Sequence, residues 1–280
     1  MRINDAIKYA AQKLDSSNSK RIDSEVLLCT ILKCNRSKLY AYPDKVLSRI
    51  NIKKFEGLVN KRSQGYPIAY LTKQKEFWSH KLYINENILI PRPETELLVE
   101  KSLELISTYT LNKILELGTG SGAIAIALAS ENPVINIKAT DIKDNIIKIA
   151  RNNADLYKFN NIKLIKSDWF SNIKEKDYDL IISNPPYIAS NDPSLRNHEI
   201  KFEPESALVS GDDGFDDLQK IIQESGDYLK NHGWLIVEHA YNQGMKVRKL
   251  FLDNGFSSKT IKDYNKLERV TFGKLLKKNG

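Results

Sequence analysis

The run Asn184-Pro185-Pro186-Tyr187 contains the residue types in this chain that are best suited to chemistry. It follows an apolar, strand-like segment at residues 178–183. Two prolines fix φ and remove two backbone donors, so a stiff loop must leave the carboxyl end of that strand. Ligands bind at such strand ends in open α/β sheets. An amide side chain, free carbonyls and an aromatic ring on this loop predict a pocket for a planar NH2 group.

A glycine-rich turn, residues 118–122, joins a predicted strand at 113–117 to a predicted helix at 121–131. Glycines there let a ligand approach the backbone closely. The turn also satisfies the relaxed dinucleotide fingerprint, with Asp141 at the position of a ribose-binding acid. Two features favour S-adenosylmethionine instead: glycines at every second position, and an acid before them that suits an amino group and a sulfonium cation. The residues predicted to bind this cofactor are Glu116, Gly118, Thr119, Gly120, Ser121, Gly122, Asp141, Trp169 and Asn184.

Two later strand ends supply the rest of the predicted cofactor site. Asp141 ends the second predicted strand, 135–140, where its carboxylate can accept both ribose hydroxyl protons. Asp168 and Trp169 follow the third strand and offer an acceptor and an aromatic face to an adenine ring. A simple core position for Trp169 is the alternative to this role.

Methylating an amide or exocyclic amino nitrogen is difficult because its lone pair is delocalised, so the site must favour the partly positive, pyramidal nitrogen of the transition state. We expect the Asn184 side-chain oxygen and the Pro185 carbonyl to accept its two N–H bonds, while Tyr187 stacks against the flat group. The predicted catalytic residues are Asn184, Pro185 and Tyr187, and the predicted substrate-binding residues are those three with Pro186. No general base is assigned, because the methylated nitrogen loses its proton readily to water. Glu238 and His239 are expected to be structural.

The elements that must position these residues alternate between strands and helices from about Glu94. Such alternation predicts an α/β fold with a parallel sheet covered on both faces. Residues 1–73 are instead expected to form short helices, ended by Gly65-Tyr66-Pro67, and strand patterns from Phe77 to Ile90 suggest a hairpin. The predicted organisation is a helical domain at 1–73, a hairpin linker at 74–92 and a catalytic domain at 93–280.

Charge is unevenly distributed along the chain. Residues 1–73 contain fifteen Lys and Arg against six Asp and Glu, a net charge of +9, whereas the remainder sums to −1. Such a basic segment suits nucleic acid or an acidic protein surface. Lys-rich helix faces that are simply solvated remain the alternative.

Other features limit the class of protein. No apolar run approaches the roughly 20 residues needed to span a bilayer, and the first residues lack the apolar centre of a signal peptide. Cys29 and Cys34 lie in an apolar helical pattern and are expected to be reduced. The four histidines (His80, His198, His232 and His239) have no ligand spacing. We therefore expect a cytoplasmic protein with no metal and no membrane partner.

The chain resembles the peptide chain release factor glutamine methyltransferases, the PrmC/HemK family, over nearly its whole length. The most specific matching run is Pro91-Arg92-Pro93-Glu94-Thr95-Glu96. The other matching segments are residues 65–70, Phe77-Trp78, the glycine turn, Asn184-Pro185-Pro186-Tyr187 and residues 202–208. Two departures from the family pattern, Ala240 and the run 265–269, lie outside the predicted chemistry.

The resemblance implies a small helical N-terminal domain that docks the substrate, a hairpin, and a seven-stranded, mostly parallel class I methyltransferase domain of Rossmann-like fold. It implies S-adenosylmethionine as donor and, as acceptor, the N5 of the glutamine in a Gly-Gly-Gln motif of release factors. The chain is accordingly expected to act as a monomer on release factors, without stable nucleic-acid binding.

The residues alone leave two rival classes open. Adenine-N6 and guanine-N2 methyltransferases of DNA or RNA use the same Asn-Pro-Pro-aromatic motif. In such an enzyme the basic segment 1–73 would be a candidate surface for binding nucleic acid. Against this, the segment is short for a target-recognition domain. A nucleic-acid-binding module on an inactive Rossmann-like domain would need a broken site, and no motif here is broken.

Overall fold

The computed structural model describes residues 1–15, 17–197 and 199–276. The contacts divide the chain into two compact units. The first comprises Met1–Gln74 together with Pro193–Phe202, and the second comprises Lys75–Asp192 together with the chain from Glu203 onward. Sequence reasoning placed residues 193–202 in the catalytic domain, whereas their contacts lie with the helical unit.

The first unit is built from five α-helices around a small apolar core that includes Leu27, Leu28 and Phe55. The helices are α1 (Ile3–Lys13), α2 (Lys20–Leu32), α3 (Arg36–Ala41), α4 (Arg49–Ser63) and α5 (Ile68–Thr72).

Two of these helices, α3 and α5, were not predicted. Helix α3 has only six residues, too few for apolar periodicity, and begins where the Asn35 side chain accepts from the Lys38 amide at 3.1 Å. The prediction that Gly65-Tyr66-Pro67 ends the helical region was wrong, because α5 starts directly after Pro67. The φ of −57° at Pro67 suits a helix start as well as a stop.

A buried ion-pair cluster attaches residues 193–202 to the helices of the first unit. Arg62, whose side chain is 10% exposed, donates from Nε to Asp23 Oδ2 at 2.7 Å and from a terminal nitrogen to Glu199 Oε1 at 2.6 Å. The rings of Tyr66 and Phe202 pack with centroids 4.9 Å apart. These contacts run between positions far apart in sequence, which is why local patterns did not reveal them.

The second unit opens with a hairpin of β1 (Gln74–Phe77) and β2 (His80–Tyr83), shorter than the predicted strand region. A seven-stranded sheet follows, made of β3 (Lys113–Leu117), β4 (Asn136–Asp141), β5 (Ile162–Lys166), β6 (Tyr178–Ser183), β7 (Leu229–Glu238), β8 (Lys259–Lys262) and β9 (Glu268–Lys274). The helices are α6 (Glu96–Tyr109), α7 (Ala123–Glu131), α8 (Asp144–Leu156), α9 (Asp216–Tyr228) and α10 (Gly244–Asp253).

The strand order of the sheet is β5-β4-β3-β6-β7-β9-β8. The pairs among β3 to β7 are parallel, and β9 is antiparallel to both β7 and β8. Two apolar clusters, one containing Ile114 and Leu180 and the other Leu115 and Ile181, pack on the sheet. The predicted fold class, a mostly parallel Rossmann-like sheet with a small helical N-terminal domain, is confirmed.

Within the described part of the chain, no helix combines the length and apolar character required to cross a membrane. The same residues contain no group of three or more His, Cys, Asp or Glu side chains placed to hold a metal ion. His198 lies outside the described residues, and the expectation of no metal stays a prediction.

Candidate active site

A cavity of about 340 Å³ opens at the carboxyl ends of β3, β4 and β6. Because β4 and β6 flank β3 on opposite sides, this is the point where the strand order reverses and ligands bind in such sheets. Eight of the predicted site residues line it: Gly118, Thr119, Gly120, Ser121, Asp141, Trp169, Asn184 and Pro186. The predicted residues Gly122, Pro185 and Tyr187 adjoin lining residues in sequence, and Glu116 comes two residues before Gly118; none of these four lines the cavity.

The glycine turn after β3 has the backbone that glycine favours. Gly118, Gly120 and Gly122 have φ values of +71°, +55° and +83°. A Cβ added at Gly118 would lie 3.4 Å from the Trp169 ring, so ring and turn are already close. The Trp169 indole nitrogen donates to Asp217 Oδ1 at 3.1 Å, which fixes the ring at the cavity wall.

Glu116 lies fully buried beneath this turn, and both of its carboxylate oxygens lack a hydrogen-bond partner. Burial raises the pKa of Glu116 to about 8, opposed by the nearby Thr119 hydroxyl and Ala125 amide, neither of which bonds it at normal geometry. The Thr119 hydroxyl is unpartnered as well. Burying an acidic side chain without a hydrogen-bond partner lowers the stability of the folded protein. The unpartnered Glu116 therefore indicates that a cationic group compensates it in the functional state.

Asp141 connects the end of β4 to the glycine turn. Its Oδ2 accepts from the Gly120 amide at 3.1 Å, and Oδ1 accepts a longer bond from the Lys143 amide at 3.4 Å. Burial raises the pKa of Asp141, although these amides act in the opposite direction. The carboxylate keeps lone pairs that remain available to a ligand hydroxyl.

Asn184, at the end of β6, donates from Nδ2 to the Thr95 hydroxyl at 3.1 Å. Among the described residues, none donates a hydrogen bond to Asn184 Oδ1 or to the Pro185 carbonyl oxygen. Asn184, which lines the cavity, and Pro185, which lies between the lining residues Asn184 and Pro186, thus each keep a free acceptor.

The Tyr187 side chain is bound by a residue at the end of β7, outside the loop. Its hydroxyl donates to Glu238 Oε1 at 3.1 Å, and burial raises the pKa of the phenol. Glu238 is 1% exposed, and its second oxygen, Oε2, has no hydrogen-bond partner of normal geometry. The structural satisfaction expected of Glu238 is therefore found at Oε1 and not at Oε2. His239 is satisfied, since its ring nitrogens meet the Ala240 carbonyl at 2.8 Å and the Thr271 hydroxyl at 2.9 Å.

The segment from Ile88 to Thr95 forms one side of the cavity and is anchored by Glu203. The buried Glu203 carboxylate accepts from the Ile90 amide at 3.0 Å and pairs with Arg92. Sequence reasoning assigned no role to Thr95 or Glu203. The available signal was their position in the runs 91–96 and 202–208, which carried the resemblance without a stated chemistry.

Comparison with known proteins agrees with this architecture. The family models "PrmC N-terminal domain" and "Methyltransferase small domain" match residues 5–72 and 93–204. The release factor glutamine methyltransferase of Shewanella oneidensis is 41% identical, covering 97% of this chain and 96% of its own. That of Aliivibrio fischeri is 43% identical, covering 93% and 92%.

Two solved structures share the fold at low identity. A methyltransferase from Pyrococcus furiosus is 18% identical with a TM-score of 0.52, covering 79% of this chain and 97% of its own. The 16S rRNA N2 G1207 methyltransferase of T. thermophilus is 14% identical with a TM-score of 0.51, covering 72% of this chain and 49% of its own. Likenesses at this identity establish the fold alone.

The sheet, the glycine turn and the cavity at the strand reversal define an S-adenosylmethionine-dependent methyltransferase. The residues fit that cofactor, because Glu116 leaves an uncompensated acid beneath the turn and Gly118 keeps the backbone open beside Trp169. The chain belongs to the release factor glutamine methyltransferase family.

Proposed function

We propose that this enzyme transfers the methyl group of S-adenosylmethionine to the side-chain N5 of the glutamine in the Gly-Gly-Gln motif of peptide chain release factors, in translation termination. The observation that carries the proposal is the pair of free acceptors, Asn184 Oδ1 and the Pro185 carbonyl, on the loop whose residues Asn184 and Pro186 line the cavity. A primary amide has two N–H bonds on one nitrogen, which these two acceptors match. Family membership favours a protein amide over a nucleobase as acceptor.

The cofactor supplies an electrophilic methyl group on a sulfonium sulfur. With the cofactor bound, the glycine turn would let it approach the backbone, Asp141 would accept from its ribose hydroxyls, Trp169 would offer an aromatic face to its adenine, and Glu116 would supply negative charge to its cationic methionine portion. Asn184 and Pro185 accept from the glutamine amide, and these bonds strengthen as the nitrogen becomes positive in the transition state. Pro186 and Tyr187 shape and hold the loop, and the displaced proton passes to water.

Transfer of label tests the acceptor class directly. Incubating the enzyme with methyl-labelled S-adenosylmethionine and either release factor or total nucleic acid should label only the release factor. A release factor whose Gly-Gly-Gln glutamine is replaced by glutamate is the matched control and should stay unlabelled. Label in nucleic acid and none in release factor would contradict the proposal in favour of an adenine-N6 or guanine-N2 methyltransferase.

We further propose that the helical domain, residues 1–73, docks the release factor, with residues 74–92 linking it to a methyltransferase domain at 93–280. The net charge of +9 on residues 1–73 supports an acidic protein partner. Exposed apolar side chains in the same segment, Tyr40, Tyr42, Val46 and Ile50, add the contact area that a protein interface uses.

Reversing two exposed charges of α4 tests the docking role. The double variant Lys53→Glu/Lys54→Glu should raise the KM for release factor roughly three- to tenfold at low salt, because surface charges mainly set association. The Kd for S-adenosylmethionine should not change. The control Lys259→Glu/Lys262→Glu makes the same charge change on the outer strand β8 and should leave both constants unchanged. An unaltered KM in the α4 variant would argue against docking through this surface.

The remaining properties that we propose follow from the site and the family. We propose that the enzyme acts as a monomer. We also propose that it works in the cytoplasm without a metal, a membrane or a stable nucleic-acid partner. Methyl transfer from a sulfonium needs no metal to activate either reactant.

A further inference from the structure

The segment at Thr95 and the end of β7 meet behind the loop that contains Asn184 and Tyr187. Thr95 is 4% exposed and Glu238 is 1% exposed, so both polar side chains are withdrawn from water. Thr95 accepts from Asn184, and Glu238 accepts from Tyr187. Four polar side chains from three parts of the chain therefore form one group, in which Thr95 and Glu238 are buried and Asn184 and Tyr187 are half-buried.

The Thr95 hydroxyl has one proton and two acceptor lone pairs. Asn184 Nδ2 donates to this oxygen, so the hydroxyl proton needs an acceptor elsewhere. Glu238 Oε2 is the buried acceptor left without a partner of normal geometry, and the Thr95 hydroxyl already lowers the pKa of that carboxyl. An ionised carboxylate only accepts, so it draws the proton of Thr95 toward itself.

From this geometry we propose that Thr95 and Glu238 are positioning residues that fix which end of the Asn184 amide faces the acceptor. With its proton directed to Glu238, Thr95 presents only lone pairs to Asn184. The NH2 end of Asn184 must then face Thr95, and Oδ1 must face the cavity. The same carboxylate holds the Tyr187 hydroxyl, so one acid orders both ends of the Asn-Pro-Pro-Tyr run. This inference rests on the proposed function of Asn184 as an acceptor of the glutamine N–H.

The direction of the hydrogen bonds in this group, and so the orientation of the Asn184 amide, depends on the charge of Glu238. A protonated carboxyl, or a glutamine, can donate to the Thr95 oxygen and release the threonine proton toward Asn184. The Asn184 amide could then rotate and present NH2 to the substrate amide, which repels it. Burial raises the pKa of Glu238 to about 7, and Glu94 acts in the same direction, whereas the Thr95 and Tyr187 hydroxyls and Arg269 oppose the rise.

Kinetics with release factor test the proposal first. Thr95→Val keeps the shape and removes the hydroxyl, and kcat should fall roughly 10- to 100-fold with little change in KM or in the Kd for S-adenosylmethionine. Thr95→Ser restores the hydroxyl and should recover most of kcat. In the wild-type enzyme, kcat should fall toward acid pH as Glu238 becomes protonated. Glu238→Gln should lower kcat by a similar factor and remove this fall. Wild-type kcat in Thr95→Val, or an equal loss in Thr95→Ser, would overturn the assignment.

A second measurement needs no turnover and separates this inference from the proposed activity. In 15N-labelled enzyme alone, the side-chain NH2 signals of Asn184 are identified by their loss in Asn184→Ala. They should titrate with Glu238, stop titrating in Glu238→Gln, and shift in Thr95→Val but little in Thr95→Ser. If the Asn184 NH2 signals respond neither to pH nor to Glu238→Gln nor to Thr95→Val, the inference is refuted, even where the wild-type enzyme methylates release factor. A wild-type enzyme inactive on release factor contradicts the proposed function, while the NH2 signals still report on the positioning group.

Discussion

Replacing Glu116 by Gln is expected to have opposite effects on cofactor binding and on the stability of the free protein. The pKa of Glu116 is raised from 4.5 to about 8, so between these values the folded chain keeps a proton that the unfolded chain has lost. The free energy of unfolding therefore falls by about 1.4 kcal/mol per pH unit as the pH rises across this window. Integrated over this window the loss is roughly 5 kcal/mol, so above about pH 8 the variant should be more stable than wild type by up to about that amount.

Cofactor affinity should change in the other direction. The cationic cofactor favours the ionised Glu116, so binding near pH 7 should release protons and tighten as the pH rises toward 8. In Glu116→Gln the Kd for S-adenosylmethionine should rise roughly 10- to 100-fold at pH 8.5 and less at pH 6.5. Titration calorimetry in two buffers of different ionisation enthalpy measures both the Kd and the protons released.

The matched control for this prediction is Glu175→Gln. The Glu175 side chain is 41% exposed and pairs with Lys138, which lowers the pKa of Glu175 to about 2, so its pH dependence has the opposite sign. Its replacement should leave the cofactor Kd and the proton release unchanged. A Glu116→Gln enzyme that binds cofactor as wild type at pH 8.5, with the same proton release, would exclude Glu116 from the cofactor site.

Local sequence patterns were sufficient to predict the sheet and the edge of the sheet at which the cavity lies. The strands at 113–117 and 178–183 are present as predicted, because each is a short run rich in apolar residues. Glycines at alternating positions permit positive φ values, and two consecutive prolines fix φ, so the turn at 118–122 and the loop at 184–187 could also be predicted.

Long-range polar pairing was not predictable from the same patterns. Thr95 and Asn184 are 89 residues apart, and Ile90 and Glu203 are 113 apart, so no periodicity links them. Glu238 was considered an ordinary strand-end acid because its burial depends on the segment at Thr95 and on Tyr187, which only the folded chain brings together. The attachment of residues 193–202 to Arg62 is hidden for the same reason.

Replacing Asn184 by Ala is expected to separate methyl transfer from cofactor binding. The variant keeps the Pro185 carbonyl but loses the one side-chain acceptor that faces the glutamine nitrogen, and kcat with release factor should fall at least about 100-fold, a loss of about 2.7 kcal/mol of transition-state stabilisation. The Kd for S-adenosylmethionine should stay within about threefold of wild type, because the Asn184 oxygen acts mainly on the acceptor.

A distant asparagine controls for the loss of a buried amide. Asn254 donates to the Leu250 carbonyl at the end of α10, outside the cavity, so Asn254→Ala removes one hydrogen bond and none of the site. Its kcat and cofactor Kd should equal those of wild type. Equal turnover by Asn184→Ala would refute the role of this side chain. A comparable loss of kcat and cofactor binding would instead place Asn184 chiefly at the cofactor. The predicted outcome, low kcat with cofactor still bound, arises only where the amide oxygen meets the nitrogen that accepts the methyl group.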